Sequence, residues 1–308
     1  MSTPIVVLGM HRSGTSAAAR ALGLMGAGMG PSDGLDHHWE QVDLWQLNAE
    51  LLRMVGSEWD TPAALEPGWT RKGRSLCAAA EQLVNRLAAE PAWVLKDPRM
   101  CLTLPFWREQ MGLEPVVVFI YRDPREVAAS LHRRNPQKRL DGRRALALWE
   151  RYNCDALANA RDLPTIVVSY DHLLASPVET CQRVRDALVS WGVSGLNPAS
   201  DAAAELDAGL RHHVTDDEAS RCDDAEQPAT TLTDAQSKLM ALLDSLERGD
   251  CSIATAPIPS VSPASKDLLE IWRQTRRLVR AVRELKGSAR QLVRLAPKIT
   301  VRSARRSH

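Results

Sequence analysis

The sequence predicts an α/β fold in which helices cover both faces of a central parallel sheet. Four short apolar runs, at residues 4–9, 93–95, 115–121 and 165–169, have the composition of buried parallel strands. Helical patterns alternate with them, as is typical of three-layer sandwiches. A polar cluster follows each run: HRSGTS, KDPR, RDPRE and SYDH. Because ligands of such sheets bind at the carboxyl ends of the strands, we expect the functional site there.

The segments between the strands carry helix signals of several kinds. The alanine-rich stretch AAARALGLMGAG follows the first loop and ends in glycines. Pro124 occupies a first helical position, and its helix should run to about Arg134. A short helix is expected near Leu173. Apolar spacing predicts further helices over residues 40–55, 71–89, 141–160, 178–191 and 233–248.

Composition and charge divide the chain into three parts. Residues 1–250 form the predicted α/β domain, residues 251–265 a Ser-, Pro- and Ala-rich linker, and residues 266–308 a basic amphipathic helix and tail. The last part has 13 Lys and Arg against 3 Asp and Glu, although the whole chain has a net charge of only +1. That overall balance gives no indication of a nucleic-acid partner.

We expect neither a secretion signal nor a membrane span. The N-terminus has no positive leader, and no apolar stretch approaches the roughly 20 residues of a membrane span. The six cysteines are scattered without metal-like spacing, which favours a reducing compartment. We therefore expect a cytoplasmic protein, either free or peripheral at the inner membrane face.

The loop after the first strand is a candidate anion site. GMHRSGTS, at residues 9–16, resembles the phosphate loop GxxxxGK[ST], in which glycines let successive N–H groups point at one anion. The following helix would add its positive end. A kinase has lysine at the position of Thr15, whereas here the cation is Arg12. A plain tight turn with a surface arginine is the alternative interpretation.

A second candidate anion site follows the third strand. Arg122 stands at the strand end, and Ser130 lies about two turns into the next helix. Both could face one phosphate, the arginine through its forked donors and the serine through its hydroxyl. Alternatively, Arg122 pairs with Asp123 or Glu126, and Ser130 is a small residue packed on the sheet.

Together the two motifs resemble those of sulfotransferases that use 3′-phosphoadenosine 5′-phosphosulfate (PAPS). The resemblance spans about residues 4–215 and is to bacterial members with a GMHRSGTS start, a WE-containing loop, a KDPR segment and an RDPxEVAxS helix. It implies a P-loop-like sandwich and PAPS as the sulfuryl donor. A divalent metal is not required, because a sulfuryl group carries less charge than a phosphoryl group.

The resemblance also implies roles for individual residues. Arg122 and Ser130 would bind the 3′-phosphate, Tyr170 would lie near the adenine, and Arg211 would belong to a late basic loop that closes over the 3′-phosphate. The 5′-phosphosulfate would be held by the first loop, through Arg12, Ser13, Gly14, Thr15 and Ser16.

Sulfuryl transfer to a hydroxyl needs a base and several cations. Glu40 is the expected base, with His38 as the alternative; Glu40 could instead only stabilise the start of its helix. Lys96 would contact the transferring oxygens, supported by Arg99.

Cytosolic small-molecule sulfotransferases have a histidine base in this region, so the departure to KDPR favours a carbohydrate or glycolipid hydroxyl as acceptor. His212 and His213 lack metal-ligand spacing.

The basic tail has apolar or small residues at alternating intervals of three and four, as in a coiled coil. They are Leu268, Ile271, Thr275, Leu278, Val282, Leu285, Ala289, Leu292 and Ala296. Three interpretations stay open: self-association, packing on the acidic body, and contact with anionic lipid.

Two other functions compete with sulfuryl transfer. A small-molecule kinase would need a lysine at position 15 and a metal-binding aspartate after a strand, for which Asp97 is the only fair candidate. A non-catalytic nucleotide-binding scaffold would be built around the helical tail.

Overall fold

A computed structural model of the chain describes residues 2–30, 39–112, 114–134, 140–200 and 231–295. The four predicted strands are β1 (Pro4–Leu8), β2 (Trp93–Lys96), β3 (Val116–Tyr121) and β4 (Thr165–Ser169). They form a parallel sheet in the order β2-β1-β3-β4. All their side chains are buried except that of Thr165 at the edge, which explains their continuous apolar composition.

The helices lie between and after the strands, close to the predicted positions, except for the helix at residues 100–111, which was not predicted. A 3₁₀ helix (Trp69–Leu76) leads directly into α3. The described helices are α1 (Thr15–Leu24), α2 (Val42–Met54), α3 (Cys77–Leu87), α4 (Met100–Met111), α5 (Pro124–Arg134), α6 (Gly142–Asn159), α7 (Tyr170–Ala175), α8 (Pro177–Ser190), α9 (Asp234–Arg248) and α10 (Pro263–Leu295).

Side chains alternate across the sheet and enter two separate cores. Val6 and Leu8 of β1 belong to a core shared with α2, α3, α4, α6 and α9. Ile5 and Val7 belong to the opposite core, which α1 and α8 complete. Period-two alternation between two apolar layers is what a sheet covered on both faces requires. The predicted α/β sandwich with a central parallel sheet and a C-terminal helix is therefore confirmed.

The order of the strands defines a switch point between β1 and β3. The chain leaves β1 toward β2 on one side of the sheet and leaves β3 toward β4 on the other. In sheets of this kind the two connections diverge and leave a crevice outside the carboxyl ends of the central strands. The loop at residues 9–16 and Arg122 lie at this point.

The C-terminal part packs on the same body. Ile253, Ala256 and Val261, within the predicted linker, are buried against the core that contains α6. α10 begins at Pro263, two residues after Val261. The proposed boundaries at residues 250 and 265 stay predictions. None of the helices in the described part of the chain is both long and apolar enough to cross a membrane.

Candidate functional site

The loop after β1 is a tight turn closed by a backbone hydrogen bond. The N–H of Ser13 donates to the carbonyl of Met10 at 3.0 Å. Arg12 has a φ of 71° and Gly14 a φ of 95°, both in the left-handed region. For arginine that conformation costs roughly 1 kcal/mol, and such strain tends to occur where a site fixes the backbone. A Cβ at Gly9 would clash with the carbonyl of Ile120, so glycine lets this loop lie directly on β3.

This turn leaves polar groups that suit an anion. The Ser13 side chain is fully buried, and its hydroxyl has no hydrogen-bond partner among the described residues. Gly14 caps α1 without a side-chain acceptor, and the first turn of the helix has no acidic residue. Because buried hydroxyls and helix N-termini normally find acceptors, an anionic ligand would satisfy both.

The structure brings the two predicted anion motifs together. Nε of Arg12 donates to Oγ of Ser130 at 2.8 Å, between the loop after β1 and the second turn of α5. Ser130 is buried, in accordance with its place on the sheet side of the helix. Strands β1 and β3 are parallel neighbours, so the loops at their carboxyl ends lie at one edge of the sheet.

The aromatic ring of Tyr170 lies between Arg122 and the loop after β1. Its guanidinium carbon lies 4.7 Å from the ring centre of Tyr170, a cation–π contact. The same ring presses on Gly14, where a Cβ would clash with it. Nε of Arg122 donates to Glu126 at 2.6 Å, so the ion pair considered as the alternative for Arg122 is present. The two terminal nitrogens of Arg122 donate to no described residue.

Glu40 and Lys96 meet at the end of β2. The Lys96 side chain is only 1% exposed, and its ammonium lies 2.9 Å from Glu40 and 3.2 Å from the Ser16 hydroxyl. Burial raises the pKa of the Glu40 carboxyl; Lys96 opposes this shift, and the nearby Asp97 adds to it. A carboxylate with a raised pKa, 13% exposed beside the loop at residues 9–16, has the properties of a general base.

Sequence reasoning missed the residue that holds Glu40 in place. The side-chain amide of Gln41 donates to the carbonyls of Met29 and Val94, at 3.1 and 2.8 Å. Its oxygen accepts from the N–H of Lys96 at 3.4 Å. These bonds attach the segment before α2 to the edge strand. No sequence pattern marks this glutamine, because its partners are backbone groups of distant segments.

The Asp97 side chain is buried, and hydrogen bonds within the protein occupy its carboxylate, so it is not open to bind a metal ion beside the loop. One carboxylate oxygen accepts from the Asn48 amide at 2.7 Å, and the other from the Arg99 guanidinium at 2.7 Å. Asn48 in turn accepts from Thr103 and Trp107, both at 2.7 Å. This buried network fixes the KDPR segment under the site and was not expected from the sequence.

Aromatic side chains border the site on the α2 and α6 side. The His11 ring lies 4.8 Å from Trp59 and 5.7 Å from Tyr152, centre to centre. The guanidinium of Arg99 lies 6.0 Å from the Trp45 ring. Trp45 and Trp59 are half-buried, so part of each ring faces solvent.

α9 holds the ends of β3 and β4 in place. The buried carboxylate of Glu247 accepts from the N–H of Ser169 at 2.7 Å and from the Tyr121 hydroxyl at 3.1 Å. It also lies 3.0 Å from Nδ1 of His172. A surface cavity of about 340 Å³ opens beside these groups, but it includes none of the predicted site residues. We regard Glu247 as a structural support for the strand end that carries Tyr170.

Several predicted residues lie outside the described part of the chain, namely His38, Arg211, His212 and His213. Within the described ranges, no group of three His, Cys, Asp or Glu side chains could hold a metal ion.

Comparisons with known proteins concern the fold alone. The chain matches no protein-family model and no curated protein. Among solved structures it is similar to the sulfotransferase domain from the curacin biosynthetic pathway, with 15% identity and a TM-score of 0.47 over 79% of this chain and 98% of that one. It is also similar to the sulfotransferase domain of the Synechococcus PCC 7002 olefin synthase, with 14% identity and a TM-score of 0.40 over 88% of this chain and 94% of that one.

Proposed function

We propose that this protein is a sulfotransferase that moves a sulfuryl group from PAPS to an acceptor hydroxyl. The observation that carries the proposal is the hydrogen bond from Arg12 to Ser130. It joins a phosphate-type loop and a second basic motif at the switch point of the sheet. Two adjoining anion sites suit a nucleotide with phosphates at both the 5′ and the 3′ positions.

The residues of the two loops fit such a donor chemically. Ser13 offers a buried hydroxyl without a described partner, and α1 offers the N–H groups of its first turn. These groups, with Arg12, would hold the 5′-phosphosulfate end. The two terminal nitrogens of Arg122, which donate to no described residue, would hold the 3′-phosphate, with Tyr170 beside them toward the adenine.

PAPS would supply an activated sulfuryl group on a phosphate leaving group. Glu40 would accept the proton of the acceptor hydroxyl at its carboxylate, whose raised pKa suits that task. Lys96 keeps this carboxylate beside Ser16 and the phosphate loop. Arg12 would stabilise negative charge in the loop through its guanidinium. No residue in this scheme needs a metal ion as a partner.

For the acceptor we propose a hydroxyl of a carbohydrate or glycolipid. Half-exposed tryptophan rings at positions 45 and 59 border the site, and flat apolar rings beside polar groups suit ligands with both kinds of surface. The KDPR segment has no histidine base, which distinguishes it from sulfotransferases of small phenols and steroids.

No observation favours the alternative kinase. Thr15 is buried at the position where a kinase needs its lysine. Both carboxylate oxygens of Asp97 already accept hydrogen bonds from Asn48 and Arg99. A phosphoryl-transfer enzyme of this type would be expected to have an open carboxylate for its magnesium ion.

Calorimetry with two nucleotides tests the proposal. We expect adenosine 3′,5′-bisphosphate to bind without magnesium and ATP to bind at least tenfold more weakly under the same conditions. Incubation with sulfur-labelled PAPS and a panel of glycans and glycolipids should then transfer label to one acceptor class. Magnesium-dependent binding of ATP in preference to the bisphosphate would contradict the proposal, and so would binding of neither nucleotide.

A further inference from the structure

α10 is attached to the body at its N-terminal end. Leu269 is buried against α6, and Glu150 of α6 accepts from the N–H of Ser262 at 2.5 Å and from the Ser265 hydroxyl at 2.6 Å. A carboxylate at this end of a helix also stabilises its dipole. The Trp272 ring lies 3.8 Å below the Arg144 guanidinium. One side of the helix is thereby fixed to the protein.

Three arginines of α10 lie on this attached side. Arg276 donates to Asp60 at 2.6 Å, and Arg280 pairs with Glu58. The Arg277 guanidinium lies over Gly56, where a Cβ would clash with it. The acidic residues Glu58 and Asp60 of the body therefore pair with part of the positive charge of the tail. They are the chain neighbours of Trp59, which borders the candidate site.

The opposite side of α10 is an exposed apolar stripe, formed by Ile271, Leu278, Val282 and Leu285. Leu278 and Leu285 are 68% and 70% exposed, which is high for leucine in a folded protein. Intervals of seven, four and three residues separate the members of the stripe. This is the spacing of one seam of a coiled coil.

The charges around the stripe follow the same repeat. With Thr275 and Val282 at a positions, Leu278 and Leu285 occupy d positions. The e and g positions between residues 272 and 288 are then Trp272, Gln274, Val279, Ala281, Lys286 and Ser288. All five arginines of this stretch fall at b, c and f positions, namely Arg273, Arg276, Arg277, Arg280 and Arg283. A copy of the helix could therefore approach this seam without opposing rows of arginine.

We propose that the stripe on α10 binds the same stripe of a second copy of this chain, as a parallel two-stranded coiled coil. A β-branched residue at a and leucine at d favour two parallel strands. The helix packs on its own body through the side opposite the stripe, so both contacts can exist at once. A lipid surface fits less well, because an interfacial helix places its basic residues beside the apolar face, where they can reach headgroups. Here Arg276 and Arg280 are paired with Asp60 and Glu58 of the body.

Sedimentation velocity of the full chain over a range of concentrations tests this proposal. We expect a concentration-dependent dimer, because the exposed seam is only about two heptads long. The double variant Leu278→Lys/Leu285→Lys should dimerise at least about 100-fold more weakly, since two apolar side chains per chain lose their burial. Glu284→Lys is the matched control: it adds the same two units of charge at an exposed c position and should dimerise like the parent.

Two further measurements test whether the two helices are parallel and whether a lipid surface binds the stripe instead of a second copy. Thr275→Cys should give a disulfide-linked dimer on a non-reducing gel, beyond the background of the native cysteines, because equal a positions meet only in a parallel pair. Far-ultraviolet circular dichroism should show that each variant keeps its helix. A parent chain that stays monomeric, or a dimer unaffected by the double lysine variant, would overturn the proposal. If the chain is a monomer that binds phosphatidylserine vesicles through Leu278 and Leu285, the partner of the stripe is a membrane and not a second copy.

Discussion

Arg12 donates a hydrogen bond of 2.8 Å to Ser130, although 118 residues separate them in the chain. The contact exists because β1 and β3 are neighbours in the sheet and both end at the switch point. Arg12 reaches it from a left-handed backbone conformation, which an arginine adopts only when its surroundings impose it. In the proposed function, Arg12 would contact the 5′-phosphosulfate end of the donor while its bond to Ser130 keeps the two loops together.

Replacing Arg12 with alanine should abolish measurable sulfuryl transfer. A fixed cation at a site of developing negative charge contributes about 10²–10³ in rate, and Arg12 would also contribute to binding. The measurement is the rate of label transfer from PAPS at saturating acceptor. Arg20→Ala, on the helix that follows the loop, serves as the control and should keep its rate. An Arg12→Ala enzyme with more than about a tenth of the parental rate would argue against this role.

Replacing Arg122 with alanine should affect one phosphate selectively. Adenosine 3′,5′-bisphosphate should bind about 100-fold more weakly, whereas adenosine 5′-monophosphate should bind nearly as before, because only the first ligand has a 3′-phosphate. Isothermal calorimetry with both ligands gives the comparison. Arg125→Ala is a suitable control, since Arg125 is exposed and pairs with Asp123. Equal losses for the two ligands would place Arg122 away from the 3′-phosphate.

The sequence predicted the sheet well because its strands are buried on both faces. Continuous apolar runs such as residues 116–121 have few other structural interpretations, and the polar clusters that follow the four strands lie at one edge of the parallel sheet. Residue pairs within one loop were also accessible from spacing. The ion pair of Arg122 with Glu126, an alternative considered from the sequence, is an example, because the two residues are only four positions apart where the chain enters α5.

Contacts between distant segments could not be read from the sequence. Gln41 binds backbone carbonyls at positions 29 and 94, and Asn48 binds Asp97; neither residue type nor spacing indicates such partners. The sequence also did not show which face of α10 packs on the body. Its heptad pattern suggested an apolar seam, but the basic side, through Arg276 and Asp60, makes the contact with the body.

Gly14 should be intolerant of a side chain for two separable reasons. An alanine there would adopt a left-handed φ and would also clash with the Tyr170 ring. Gly192 has a similar φ of 88° but open space around it, so Gly192→Ala measures the backbone cost alone. We expect Gly192→Ala to lose about 1 kcal/mol of unfolding free energy and Gly14→Ala to lose about 2–3 kcal/mol in urea titrations. Equal losses would show that the ring moves away freely.

The acid limb of the pH profile should report Glu40. Glu40→Gln should slow transfer about 10²–10⁴-fold while leaving bisphosphate affinity nearly intact, because a base contributes to proton removal alone. Burial raises the pKa of Glu40 and Lys96 opposes that rise. A base acts when deprotonated, so removing the cation in Lys96→Met should move the acid limb of kcat/KM to higher pH. A limb that stays in place or moves to lower pH would assign it to another group.

Gln41 should act on the rate through Glu40 without touching the donor. Gln41→Leu keeps the size of the side chain but removes the hydrogen bonds to Met29, Val94 and Lys96, so the segment carrying Glu40 should lose its fixed position. We expect kcat to fall about tenfold, because small displacements of a base cost much of its advantage. The dissociation constant of adenosine 3′,5′-bisphosphate should stay within about twofold, since the loop at residues 9–16 keeps its own hydrogen bonds. Gln46→Leu, at an exposed position of α2, is the matched control and should leave both quantities unchanged. A loss of bisphosphate affinity as large as the loss of kcat would mean that Gln41 supports the whole site and does not specifically position the base.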